Sequence, residues 1–137
     1  MTERRSKHNA RRTDEYAEAI TINLPYPIVP YVRMTRLGKF TSEAAQRYLA
    51  NQDNLKLFMR VDLDRMLPPR MPLAVDISVT VPQSVGHRCD LDNLLTAILD
   101  AGRGILSADD RWIASIVIDR RIGKDWITKI HIRTEEA

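Results

Sequence analysis

Four aspartates in two short groups are the residues whose type and spacing most directly permit chemistry: Asp90 with Asp92, and Asp109 with Asp110. Two carboxylates two residues apart at a loop-to-helix boundary converge if the backbone of the first is still extended. Each pair also has an ordinary explanation. An aspartate ahead of a helix is a favoured N-cap, helped by the helix dipole, and adjacent acids in a turn are commonly just solvated. Brought together, the four behave differently, because each carboxylate pair at about 4 Å repels by roughly 4 kcal/mol at an effective dielectric near 20. Such a cluster needs a cation. Carboxylate oxygens with no His or Cys set at ligand spacing select Mg²⁺, with Mn²⁺ as a substitute, over zinc. An ion of that kind can grip a phosphodiester oxygen and neutralise the charge of a leaving oxygen, so hydrolysis of DNA or RNA is the natural reaction.

The elements that must position these acids follow from periodicity. Ala19 to Leu24 alternates and is closed by Pro25, Pro27 and Pro30, which predicts a strand running into an extended loop. Ser42 is placed as an N-cap for a helix from Glu43 to Arg60 or beyond. Pro68, Pro69 and Pro72 end it, and Leu73 to Val81 alternates strictly, the clearest strand in the chain. After Pro82 a loop with Gly86, His87 and Arg88 delivers Asp90 and Asp92 to a second helix, whose stripe is Leu91, Leu94, Leu95, Ile98 and Leu99. On the opposite side of that helix fall Asp92, Asn93, Thr96 and Asp100. Gly102 and Gly104 end it, and a short loop carries Asp109 and Asp110. Trp112 to Arg120 and Asp125 to Arg133 read as a hairpin about Gly123. The order β-α-β-α-β-β predicts an α+β fold: a mixed four-stranded sheet with two helices packed on one face.

At 137 residues one domain is expected, residues 18–137, behind a basic disordered tail of residues 1–17. The net charge of +3 matters through its distribution. Arg33, Arg36 and Lys39 lie in a loop with Tyr31 and Phe40, Arg88 precedes the first acids and Arg111 follows the second pair; these five are the candidate DNA contacts, against the alternative of solvated loops. Trp112 and Trp126 read as core or interface residues rather than base-stacking platforms. No apolar run approaches the roughly 20 residues that a membrane span needs. The polar N-terminus has no signal-like apolar segment and Cys89 stands alone, a structural thiol, so the expected address is the cytoplasm.

The stretch Asp90-Leu91-Asp92-Asn93-Leu94-Leu95-Thr96-Ala97-Ile98-Leu99-Asp100, followed by Asp109-Asp110, resembles the RusA-like Holliday junction resolvases, whose signature looks like Asp-x-Asp-Asn-x-x-Lys-x-x-x-Asp with an Asp-Asp pair downstream. The turn Leu24-Pro25-Tyr26-Pro27 and the basic segment after it extend the likeness to roughly residues 19–133. The resemblance implies a homodimeric, Mg²⁺-dependent endonuclease that makes paired cuts in four-way DNA junctions. It also implies that Asp90, Asp92 and Asp110 are the catalytic, metal-binding aspartates, with Asp109 their neighbour in the metal site. One position departs: the family's functional lysine falls on Thr96, which cannot supply a lysine's charge. A junction- or branched-DNA-binding protein with impaired turnover is the alternative that Thr96 leaves open.

Overall fold

Alternation in the strands and the 3.6-residue stripe in the helices give each element one apolar face, and the fold stacks those faces. The computed structural model describes residues 17–31, 42–62, 67–68, 70–86, 90–106 and 110–135. Along the chain come β1 (Ala19–Leu24), α1 (Glu43–Asp62), β2 (Leu73–Pro82), α2 (Leu91–Gly102), a 3-10 turn (Asp110–Trp112), β3 (Ile113–Gly123) and β4 (Ile127–Thr134). The expected α+β order is the observed one. The four strands form one mixed sheet in the order β1-β4-β2-β3, with β4 antiparallel to β1 and β2, and β3 parallel to β2.

The terminal strands correct the sequence expectation. β3 and β4 do not form a hairpin: β2 lies between them and pairs with both. A period-2 pattern reports which side chains share a face, not which strand lies alongside. Here α2 is the crossover of a β2-α2-β3 unit, which makes β3 parallel to β2 and leaves β4 the antiparallel side.

One face of the sheet carries Ile22 and Leu24, then Val75, Ile77, Val79 and Val81, then Ile130 and Ile132, all buried against the helices. The other face shows Thr21, Asn23, Asp76, Lys129 and Arg133, all exposed. Helix α1 begins where Ser42 caps it: the Ala45 N–H donates to Ser42 Oγ at 3.2 Å. Its buried line is Ala45, Tyr48, Gln52, Leu55 and Met59, the spacing of one helix face.

The buried arc of α2 is turned relative to the expected stripe. Leu94 and Ile98 are buried as expected, but so are Ala97 and Ala101, whereas Leu91, Leu95 and Leu99 are only half-buried. The cause is α1, which packs along the flank of α2 that carries the alanines. The Gln52 amide, itself buried, donates to the Ala97 carbonyl at 2.8 Å, a contact that a larger residue at 97 would push apart. Gly104, at φ +81, supplies the left-handed turn after α2, and the Ile105 and Leu106 N–H groups close back onto the Gly102 carbonyl. Leu106 then lies over Gly102, its Cδ1 2.7 Å from where a Cβ would stand. Among the described residues no helix is long and apolar enough to cross a membrane.

Candidate metal and nucleic-acid site

The N-terminal end of α2 is held in place by the loop after β1. Asn51 of α1 accepts from the Val29 N–H at 2.9 Å and donates to the Pro27 carbonyl at 3.2 Å. Edge-on ring contacts, Tyr26 on Phe58 at 5.4 Å and Tyr31 on Tyr48 at 5.6 Å, seat the same loop on α1. The loop then reaches the acids: the Tyr31 N–H donates to the Asn93 carbonyl at 3.0 Å. The first turn of α2 is thus fixed by long-range contacts as well as by its own hydrogen bonds.

Asp90 occupies the N-cap position of α2 with an extended backbone (φ −72°, ψ 138°), the conformation that lets two carboxylates two residues apart turn to one side. Its side chain makes no capping hydrogen bond. The capping explanation for this aspartate therefore lacks the contact that would define it. Asp92, in the first turn, is exposed, as is Asp90, and neither carboxylate has a hydrogen bond or ion pair among the described residues. Both are hard oxygen donors left uncommitted at the positive end of a helix dipole. That chemistry fits a hydrated Mg²⁺, which keeps several waters and takes one or two carboxylates.

Asp100 is different. Although it shares the polar side of α2 with Asp92, it accepts a hydrogen bond from the Tyr48 hydroxyl at 3.0 Å and pairs with Arg103 at 3.4 Å. Burial, then the hydrogen bond and negative charge of Asp100, push the Tyr48 phenol well above its usual range, so it stays a donor. Asp100 thus ties α2 to α1. Arg103 forms this pair at the C-cap, away from the first turn. Replacing Tyr48 by Phe leaves the ring contact but strips a charged acceptor of the shorter of its two donors, leaving Arg103. An expected loss of about 1.5 kcal/mol lowers the thermal midpoint by about 5 °C. Calorimetry checks this; an unchanged midpoint contradicts the strut.

Thr96, at the family's lysine position, donates its hydroxyl to the Asp92 carbonyl at 3.0 Å, one turn back on its own helix. The backbone of Asp110 enters after the C-terminal end of α2, in the turn that starts β3. Its side chain, and Asp109 altogether, lie outside the described residues, as do Arg33, Arg36, Lys39 and Arg88. Among the described residues no three acids, histidines or cysteines gather closely enough to hold a metal ion. Arg111 is exposed, its guanidinium 5.8 Å from the Trp112 ring centroid. Trp112 and Trp126 are both half-buried, Trp126 against the core.

The residue that sequence reasoning missed is Tyr48. Its place in the α1 stripe was a signal for burial, but its hydroxyl partner lies 52 residues away and follows only from the packing of the two helices.

A comparison with curated proteins returns no match. The family described as Endodeoxyribonuclease RusA matches residues 25–135, a span that runs from the loop after β1 to the end of β4 and includes both acid pairs. The chain, with its mixed sheet and its Asp-x-Asp-Asn helix start, belongs to the RusA endodeoxyribonuclease family.

Proposed function

We propose that the protein is a Mg²⁺-dependent endodeoxyribonuclease that binds four-way DNA junctions as a homodimer in the cytoplasm and resolves them by paired phosphodiester hydrolysis, in the service of recombination and repair. The observation that carries this reading is Asp90: a helix-start aspartate in extended backbone, beside Asp92, whose carboxylate is not used to cap the helix it precedes. Membership of an endodeoxyribonuclease family supports a metal-holding role for a carboxylate left free there.

Asp90, Asp92, Asp109 and Asp110 would hold the ion, Mn²⁺ serving in place of Mg²⁺, with Asp90, Asp92 and Asp110 essential to cleavage. When bound, the ion supplies Lewis-acid stabilisation of the charge that grows on the phosphate and the leaving oxygen. Arg33, Arg36, Lys39, Arg88 and Arg111 contact the DNA backbone around it, and residues 18–137 form the working domain behind a basic tail. Because junctions are recognised by shape, these contacts position the substrate rather than read its sequence.

A second reading is favoured by Thr96, whose hydroxyl is spent on the Asp92 carbonyl and carries no charge. It is a junction-binding protein with reduced turnover. One experiment separates the two: an end-labelled four-way junction is incubated with the protein, with and without Mg²⁺ or Mn²⁺. Symmetrical metal-dependent nicks support the endonuclease, junction binding without nicks supports the second reading, and failure to bind the junction overturns both.

A further inference from the structure

Among the described residues β3 is an edge of the sheet and pairs on one side only, with β2. Long edge strands invite pairing with another chain, and proteins usually blunt them with charged side chains, prolines, bulges or shortness. The charges of β3, Asp119, Arg120 and Arg121, sit together at its middle, where charges of both signs are present. β3 has one irregularity, near Ala114, and then runs from Ser115 to Gly123 in unbroken register with β2, without a proline. Apolar side chains along this stretch stand in the open: Ile116 is 37% exposed, Val117 60% and Ile122 47%. Parallel partners share a face, so Ile116, Ile118 and Ile122 lie on the helix side with Val75, Ile77 and Val81 of β2. Those β2 residues are buried under the helices. The core face therefore continues outward past its cover.

We infer that this edge is covered by β3 of a second copy, paired antiparallel about a two-fold axis through Asp119. A two-fold contact requires the patch to complement itself, and β3 does so in this register. Ile116 and Ile122 are each three residues from Asp119, so each Ile116 meets the second copy's Ile122 on the helix side. Ile118 meets the second copy's Arg120 and packs on its aliphatic stem. On the outer face Val117 meets the second copy's Arg121. The two Asp119 carboxylates, which alone would repel across the axis, are each flanked by an Arg121 from both strands; within one chain Arg121 already stands 3.6 Å from Asp119. Nine residues paired in this way make about eight to ten main-chain hydrogen bonds, two for every second residue pair, in the range of a typical stable interface. The two sheets become one of eight strands.

This inference deepens the homodimer proposed above by naming its surface. Its test is the mass of the full chain in solution by analytical ultracentrifugation at tens of micromolar. The wild type is expected at twice the chain mass, and Ile116→Lys with Ile122→Lys at the monomer mass with an unchanged circular dichroism spectrum, because both residues are exposed. As a second measure, Asp119→Cys in a Cys89→Ser background is expected to cross-link to a covalent dimer on mild oxidation, since residues on the axis face themselves at disulfide distance. A monomeric wild type, a dimer that survives both lysines, or an Asp119→Cys chain that does not cross-link overturns the inference. Nicking assayed on the same samples keeps the readings apart: a monomer that nicks junctions overturns only the edge contact, and a cross-linked dimer that never nicks overturns only the nuclease.

Discussion

Asp92→Asn is expected to lower Mg²⁺-dependent junction cleavage by about a thousand-fold, because a bound metal contributes several kcal/mol of transition-state stabilisation and each 1.4 kcal/mol or so is tenfold in rate. The amide keeps the shape of the side chain but loses the negative charge that holds a hard cation. The fold has little stake in the change. Asp92 is exposed and its carboxylate has no partner among the described residues, so the folding cost is the helix-dipole interaction alone, about 0.3–1 kcal/mol. Thermal stability supplies a readout independent of turnover. Mg²⁺ bound by the folded state raises the wild-type midpoint by mass action, whereas the variant, short of one ligand, gains much less. Single-turnover cleavage and thermal melts with and without Mg²⁺ measure both. Cleavage at the wild-type rate in Asp92→Asn would remove this residue from the metal site and the proposed chemistry with it.

The sequence pattern carried the elements well for a physical reason: Pro25, Ser42, Pro72 and Gly104 act on the backbone next to them. β1 ends at Leu24, α1 starts at Glu43, β2 starts at Leu73 and the chain turns after α2, each boundary set by such a residue. Neighbours in space are less legible. The alternation of β3 and β4 specified their faces but not their order, and β2 lies between them. The stripe on α2 overvalued Leu95 and Leu99 against Ala97 and Ala101, because small side chains earn burial through the close approach of α1 rather than through hydrophobicity. The candidate site divides in the same way. That Asp90 and Asp92 begin a helix was readable, but whether Asp90 caps it was not, since the choice depends on a side-chain hydrogen bond rather than on residue type. Asp100 belongs to the same motif by spacing, yet it is committed to Tyr48 and Arg103 by the packing of two helices.

Thr96→Lys is expected to raise junction cleavage by about a hundred- to a thousand-fold, the inverse of what removing one well-placed transition-state donor costs in other enzymes. Thr96 now turns its hydroxyl back to the Asp92 carbonyl, so the face of α2 beside the acids offers the DNA no positive charge from this position. A lysine there stands four residues after Asp92 and four before Asp100. The first spacing is the favoured acid-before-base arrangement on a helix, and loss of a β-branched residue also favours the helix. The variant should therefore fold at least as well as the wild type, and a rise in rate cannot be assigned to rescued stability if the melting midpoints agree to within a few degrees. Two controls isolate the charge. Thr96→Met keeps a long unbranched side chain without a cation and should leave cleavage where it was. Thr96→Lys combined with Asp92→Asn should be as slow as Asp92→Asn alone, because a cation beside the phosphate cannot stand in for the ligand that holds the metal. Measured under single-turnover conditions, a lysine that tightens junction binding without speeding cleavage would place the limit on turnover elsewhere in the site.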